Sequence, residues 1–241
     1  MINHAFTERL TNRDWEQVGR QLHDSGYALL PQVLDAVECR SLVELYAVGE
    51  ARIYRKTISM ARYRFGSGEY KYYSYPLPAL VARLRETLYP RLIPVANQLM
   101  AELAVDMRFP ATHAEMLRRC RDHQQDHPTP LILKYGAGGF NTLHQDLYGE
   151  IYFPIQAMVM LDEPGQDYTG GEFVITEQVP RAQSKASVLV PHRGDMVLFT
   201  TQSRPVQGSR GYYRVNMRHG VSTVHSGHRH SLGIIFHDGS S

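Results

Sequence analysis

The chain has 241 residues, with 26 Lys and Arg against 24 Asp and Glu and 43% hydrophobic residues. That length suits one well-filled domain, because a single core keeps growing up to roughly 250–300 residues, and the composition is that of a folded globular chain rather than a disordered or fibrous one. The net charge of +2 is too small to mark the whole chain as a nucleic-acid binder. Cys39 and Cys120 lie outside any C-x-x-C spacing, which excludes a disulfide framework and a thiolate zinc site. No run reaches the roughly 18 apolar residues that cross a bilayer, so no membrane partner is expected. The N-terminus lacks the apolar core of a signal peptide, and cytoplasmic residence is the default expectation.

Asn12 or Asp14 can cap a helix on which Trp15, Val18 and Leu22 recur at helical spacing, and Gly26 ends it. Tyr27 to Leu30 is an apolar run stopped by Pro31, which predicts a buried strand with proline at its margin. Asp35 can cap a second helix carrying Val37, Leu42, Val43, Leu45 and Tyr46. From Pro78 onward Leu80, Val81, Leu84 and Leu88 mark a third helix, and Pro90 or Pro94 starts or kinks another bearing Val95, Leu99, Met100 and Leu103. The first half therefore reads as mainly helical. Beyond Pro128 the pattern turns to short β-rich runs: Leu131 to Tyr135, Tyr152 to Leu161, Glu172 to Thr176, Ser187 to Val190, Met196 to Thr200, Tyr213 to Met217 and Arg229 to Phe236. Many short strands without long helices between them predict an α+β chain, with an antiparallel double-sheet jelly roll (a double-stranded β-helix) or a related barrel at its core and helices packed outside. Neither a repeat nor a linker divides the sequence. Residues 1–241 are accordingly expected to form one domain, with residues 1–127 as mainly helical support and a substrate lid and residues 128–241 as the core.

His144, Gln145 and Asp146 put an imidazole and a carboxylate two residues apart, on one face of an extended segment, where both can bind one metal ion. Non-haem iron sites that activate oxygen use two His and one carboxylate and leave three positions open. A further His must then arrive from elsewhere.

The run from His219 through Gly220, Val221, Val224, Gly227 and Arg229 to Ser231 resembles the prolyl-hydroxylase-type branch of the iron(II)- and 2-oxoglutarate-dependent oxygenases. The resemblance implies that His219 is the remaining iron ligand beside His144 and Asp146, and that Arg229 holds the far carboxylate of 2-oxoglutarate. A guanidinium fork suits that bidentate grip. Ser231 shares the strand face of Arg229 and can add a hydroxyl. Tyr135, nine residues before His144, matches the tyrosine whose hydroxyl reaches the cosubstrate. The strands around Gly170, Gly171, Glu172 and Phe173, and around Pro191, Gly194, Asp195 and Phe199, fit the same pattern in the expected order. His225 competes with His219 for the ligand position, but it would leave Arg229 only four residues away and break the spacing. The implied cofactors are Fe(II), 2-oxoglutarate and O2, with ascorbate as a candidate reductant, and the implied reaction is hydroxylation of a C–H bond.

Arg52 to Arg91 carries nine Lys or Arg against two acids, and seven of the fifteen Tyr, a mixture that suits phosphates and stacked bases. Arg62, Arg64, Lys71, Tyr70, Tyr75 and Asn141 are the candidate substrate residues. Gly66, Glu69, Tyr70, Lys71, Tyr75 and Pro76, with the run His144 to Glu150, resemble a bacterial oxygenase family proposed to demethylate damaged nucleic acid. Ile235 and Leu133 stand where the AlkB demethylases carry a second Arg and an Asn. Three other readings stay open at this point: a protein or peptide hydroxylase of prolyl type, a small-molecule hydroxylase, and a non-catalytic metal-binding sensor. The oligomeric state is not legible in the sequence.

Overall fold

The computed structural model describes residues 5–48, 52–146, 148–179 and 181–240. The first four residues of the N-terminal stretch, and Leu147 of the His144 to Glu150 run, lie outside these. In chain order, α1 (Ala5–Thr11), α2 (Trp15–Ser25), β1 (Tyr27–Leu30) and α3 (Ala36–Val48) come first. Then follow β2 (Tyr54–Ser59), a 3-10 turn (Met60–Tyr63), β3 (Gly66–Ser67), β4 (Glu69–Tyr73), α4 (Ala79–Glu102) and α5 (His113–Asp122). The remainder is β5 (Leu131–Tyr135), β6 (Phe140–His144), β7 (Ile155–Met160), β8 (Tyr168–Gly170), β9 (Phe173–Gln178), β10 (Ser184–Leu189), β11 (Met196–Thr200), β12 (Ser203–Gly208), β13 (Gly211–Val221), β14 (Val224–Gly227) and β15 (Arg229–Ile234). No described helix is long and apolar enough to cross a membrane.

The capping residues act as their chemistry demands. Asp14 accepts from the Gln17 N–H at the start of α2, and Gly26 closes that helix in the left-handed region. Asp35 accepts from the N–H groups of Val37 and Glu38 to begin α3. The Thr112–Glu115 capping box that starts α5 carries the signature of a helix start, yet α1 and α5 are helices that the sequence reading does not include. Pro90 and Pro94 do not divide their segment; both lie inside one 24-residue helix, α4. An interior proline costs ~3 kcal/mol, yet Leu84, Leu88, Leu92, Val95 and Leu99 are all buried along α4. At roughly 1.5–3 kcal/mol per buried side chain, that packing outweighs two proline penalties.

Antiparallel strands form two larger sheets. The seven-stranded one runs β1-β11-β7-β15-β5-β4-β2 and the six-stranded one β10-β9-β13-β6-β3, with β12 added against β13; β8 and β14 pair separately. Neither large sheet closes on itself. Residues from both, including Met158 and Val197 of the first and Phe173, Ile175 and Met217 of the second, share one buried cluster, so the sheets face each other. The opposite face of the seven-stranded sheet, through Ile132, Ala157, Val159, Leu198 and Leu232, packs with α2, α3 and α4 in the larger core. β7 is therefore buried on both sides.

Two expectations change here. The run Tyr27 to Leu30 is not buried throughout: β1 is an edge strand, and Leu29 is 44% exposed between the buried Ala28 and Leu30. The split at residues 127 and 128 does not separate helices from sheet either, since β1, β2 and β4 supply three strands of the seven-stranded sheet. In β2 the buried Tyr54 and Ile58 are separated by Arg55, Lys56 and Thr57 with a register shift after Tyr54, and in β4 Tyr72 and Tyr73 are both buried, so burial along neither strand follows a clean period of two.

Candidate metal centre

β6 and β13 pair antiparallel with His219 directly opposite His144, so the six-stranded sheet brings the two imidazoles side by side. Their ring centroids are 4.3 Å apart. Gly220 makes the approach feasible: a Cβ there would lie 2.7 Å from the Asn141 carbonyl oxygen. Asp146, just beyond the end of β6, reaches between the rings, with 3.4 Å from one carboxylate oxygen to His144 Nε2 and 3.4 Å from the other to His219 Nε2. One ligand atom from each of the three side chains lies within 4.8 Å of the others. His225 is exposed on β14 and is no part of the cluster.

The electrostatics suit a cation. Burial raises the Asp146 carboxyl, but hydrogen bonds from His144 and His219 and their charges hold it well below the usual carboxylate range, so it is ionised. Burial lowers His219 against the pull of Asp146; it is a neutral imidazole. At His144 burial is outweighed by Asp146 and by the Thr142 carbonyl, and the ring sits above its usual value. His144 Nδ1 is 2.7 Å from the Thr142 carbonyl oxygen, which makes Nδ1 a donor and turns Nε2 toward Asp146 as the atom a metal would take on displacing its proton. Two imidazoles and one carboxylate are the donor set that suits ferrous iron with open positions. Phe199 and Phe173 pack on His219, with centroids at 4.6 and 5.9 Å, and fix its ring. Gln145, between His144 and Asp146, donates to the carbonyls of Gln202 and Met217 and ties that segment to its neighbours.

The triad opens on a cavity of about 280 Å³ between the sheets, which Arg229, Tyr135, Ser231 and Asn141 also line. Strand alternation puts Arg229 and Ser231 on this face of β15, and Arg229 pairs in register with Tyr135 on β5. Arg229 is fully buried. Its Nη1 donates to Ser231 Oγ at 3.2 Å, whereas Nε and Nη2 have no acceptor among the described residues. Three arginines are buried among these residues. Arg85 pairs with Asp238 and Arg204 with Glu177, but none of the described carboxylates pairs with Arg229. Burial lowers its pKa while Tyr135 and Tyr168 raise it, and a guanidinium stays charged in any protein setting. An unpaired buried cation is costly, so this cradle fits an anion with oxygens at two donors. The Tyr135 hydroxyl, pushed up to about 12 by burial, stays protonated, and Asn141 Nδ2 donates to it at 3.4 Å.

The substrate candidates divide. Tyr70 and Asn141 line the cavity; Arg62, Arg64, Lys71 and Tyr75 do not. Alternation along β4 sends Tyr70 and Tyr72 inward and Lys71 to the opposite face, where its Nζ lies 4.0 Å from the Tyr46 ring centroid and 3.2 Å from the Tyr46 carbonyl oxygen. Tyr75 donates to Asp238 and accepts from Arg85, a structural contact. Arg62 and Arg64 are exposed beside the cavity's Phe65. Sequence reasoning missed Tyr72, Tyr148, Phe65 and Gln156, which all line the cavity. Tyr70-x-Tyr72 was a readable period-two signal, and Gln156 is the one amide in the apolar run of β7.

A family described as oxygenases catalysing oxidative methylation of damaged DNA matches residues 68–239. The chain belongs to this oxygenase family. Two uncharacterized proteins of Mycobacterium tuberculosis, from strains CDC 1551 and H37Rv, are each 45% identical to this oxygenase over 163 residues, covering 68% of the chain and 70% of theirs. Among solved structures, a prolyl-4-hydroxylase of Pseudomonas putida is similar with a TM-score of 0.57 at 16% identity, covering 93% of this chain and 100% of that one. An oxidoreductase of the 2OG-Fe(II) oxygenase family from Burkholderia pseudomallei gives 0.54 at 17%, covering 95% and 93%. At such identities these two likenesses carry the oxygenase's fold and nothing further.

Proposed function

We propose that this chain is an iron(II)- and 2-oxoglutarate-dependent dioxygenase that oxidatively demethylates alkylated bases of nucleic acid. The observation that carries the cosubstrate is Arg229, the buried guanidinium with two donors unanswered and no carboxylate partner among the described residues, on the same cavity as the His144, Asp146 and His219 cluster. In this reading those three hold iron, Arg229 and Ser231 hold the distal carboxylate of 2-oxoglutarate, and Tyr135 adds a hydroxyl to the cosubstrate. Iron, when bound with 2-oxoglutarate and oxygen, supplies the oxidant that turns a C–H bond into C–OH while 2-oxoglutarate leaves as succinate and carbon dioxide.

The protein's part is positioning. Phe199 and Phe173 lock the His219 ring, and the Thr142 carbonyl fixes the His144 tautomer. Tyr70, Tyr72 and Tyr148 line the cavity with neighbouring rings, which would exclude water and flank a flat ring. Gln156, 3% exposed with no partner for its Nε2, is a spare hydrogen-bond donor in the cavity lining. Hydroxylation of an N-methyl carbon gives a hemiaminal, which breaks down to formaldehyde and the unmethylated base. We further read the two facing sheets as a jelly roll, and the helices behind them as part of the same catalytic domain.

The test incubates the protein with iron, 2-oxoglutarate and single-stranded DNA or RNA bearing N-methylated bases, and follows succinate and formaldehyde together. Stoichiometric formation of both is expected, with Asp146→Ala and His219→Ala abolishing metal binding and turnover, and Arg229→Ala raising the 2-oxoglutarate requirement. Succinate without formaldehyde from any methylated strand would remove the nucleic-acid substrate and keep the oxygenase. Full turnover in all three variants would remove the site.

A further inference from the structure

The rings of Tyr63 and Phe65 stack on one another, with centroids 5.6 Å apart and an interplanar angle of 18°. Both are open to solvent, at 46% and 47% exposure. The Arg62 guanidinium stands 5.8 Å from the centre of the Tyr63 ring. Arg62 and Arg64 are exposed, and no carboxylate among the described residues pairs with either. From Arg52 to Gly68 the chain holds Arg52, Arg55, Lys56, Arg62 and Arg64 and neither Asp nor Glu. Two adjacent exposed rings with cations on both sides are an unusual use of surface, since large apolar groups are normally scattered singly.

Their place in the fold gives them a direction. β2 is the edge of the seven-stranded sheet and β3 the edge of the six-stranded one, so the segment joining them passes from one sheet to the other. Phe65 belongs to both settings: it is exposed and it lines the cavity. Its carbonyl accepts from the Thr142 N–H at 2.9 Å and from Thr142 Oγ1 at 2.8 Å, which pins the turn two residues before His144. The paired rings therefore form a fixed step beside the mouth, not a loose loop.

We propose that Tyr63 and Phe65 are a stacking platform for the nucleotide next to the one that enters the cavity, with Arg62 and Arg64 on the adjoining phosphates, so that the substrate is taken up as a single strand. This rests on the nucleic-acid reading above and adds the surface and the strandedness. Every base offers a π face to an aromatic ring, and two exposed arginines without carboxylate partners attract a polyanion. In a duplex those faces are already occupied by neighbouring bases, so a double strand cannot use the platform without opening.

The test uses the full chain with manganese in place of iron, plus 2-oxoglutarate, so that it binds without turnover. The probe is a labelled oligonucleotide carrying one N-methylated base, measured by fluorescence anisotropy as a single strand and annealed to its complement. The single strand is expected to bind more tightly. Tyr63→Ala with Phe65→Ala should weaken it at least about fivefold, and Tyr63→Phe should retain wild-type affinity. Arg62→Gln with Arg64→Gln should make the dependence of log Kd on log salt shallower by about 0.7 for each phosphate that is no longer neutralised. Because all four side chains are exposed, thermal unfolding should not move, and that control accompanies each variant. Wild-type affinity in the folded double alanine variant, or equal binding of duplex and single strand, would overturn the platform and leave the oxygenase reading intact. A wild-type protein that binds no oligonucleotide, or that binds a peptide substrate instead, would overturn the platform and the nucleic-acid substrate together.

Discussion

A single side chain can carry a functional argument when its surroundings make it costly for no structural reason. Arg85 and Arg204 are buried with carboxylates and need no ligand to account for them, whereas Arg229 is buried without one among the described residues. Arg229→Lys is therefore expected to keep the charge but lose the two-pronged grip, weakening 2-oxoglutarate on the order of 10–100-fold in a titration of the metal-loaded protein; unchanged affinity would assign the cosubstrate elsewhere. Two other buried groups govern the response to acid. Burial, reinforced by the Arg85 guanidinium, pushes His113 and His237 down to about 3, while each would titrate near ~6.5 in the unfolded chain. The folded state keeps both rings neutral, so below about pH 6.5 the unfolded chain binds more protons and stability falls as pH drops, until the folded rings also protonate near 3. A loss of about 1.4 kcal/mol per pH unit for each imidazole is expected. Urea unfolding at about pH 7 and about pH 5 measures it, and His113→Gln should flatten the slope; an unchanged slope would clear His113 of the role.

At the scale of elements, strand pairing decides whether the candidate ligands meet. The His219 and His144 pairing depends on close contact of β13 with β6 at Gly220, where a Cβ would lie 2.7 Å from the Asn141 oxygen and 3.2 Å from that of Thr142. Gly220→Ala should push the strands apart and lower metal affinity on the order of tenfold or more, as loss of ligand support does elsewhere; isothermal titration with manganese reads the change. If affinity stays put, the pairing does not set the ligand geometry. Elements were also where legibility varied most. The caps at Asp14, Gly26 and Asp35 and the apolar runs of β5 and β11 could be read from local chemistry. β2 and β4 were not read as strands, because a register shift after Tyr54 breaks the period of β2 and Tyr72 and Tyr73 are buried side by side in β4. Pro90 and Pro94 misled for the opposite reason: the local rule is sound, and burial along α4 overrode it.

Across the whole molecule, one buried network joins the helical layer to the end of the chain. Arg85 of α4 donates to the carbonyls of Ile235 and His237 and to Asp238 Oδ1, at 2.7, 2.9 and 2.8 Å. Gln125 adds its amide to the Asp238 and Ile151 carbonyls. These contacts hold α4 beside the segment that continues β15, the strand bearing Arg229. Arg85→Ala leaves the Asp238 carboxylate buried and unpaired, a loss of about 3–5 kcal/mol, and melting should fall on the order of 10 °C. Calorimetry that finds a drop of only a degree or so would show that the helices are held to the sheet by apolar packing alone.

Sequence by itself determined the chemistry on offer: an imidazole and a carboxylate two residues apart, a second imidazole ten residues before an arginine, and a β-rich second half. Those features are local, since strand period and short spacing fix which side chains share a face. Tertiary structure alone decided the rest. It set His219, not His225, opposite His144 by pairing β13 with β6, left Arg229 without a carboxylate among the described residues, and turned Lys71 and Tyr75 away from the cavity while bringing in Tyr72, Tyr148 and Gln156. Which groups end up buried together depends on contacts between residues far apart in the chain, and no local pattern encodes them.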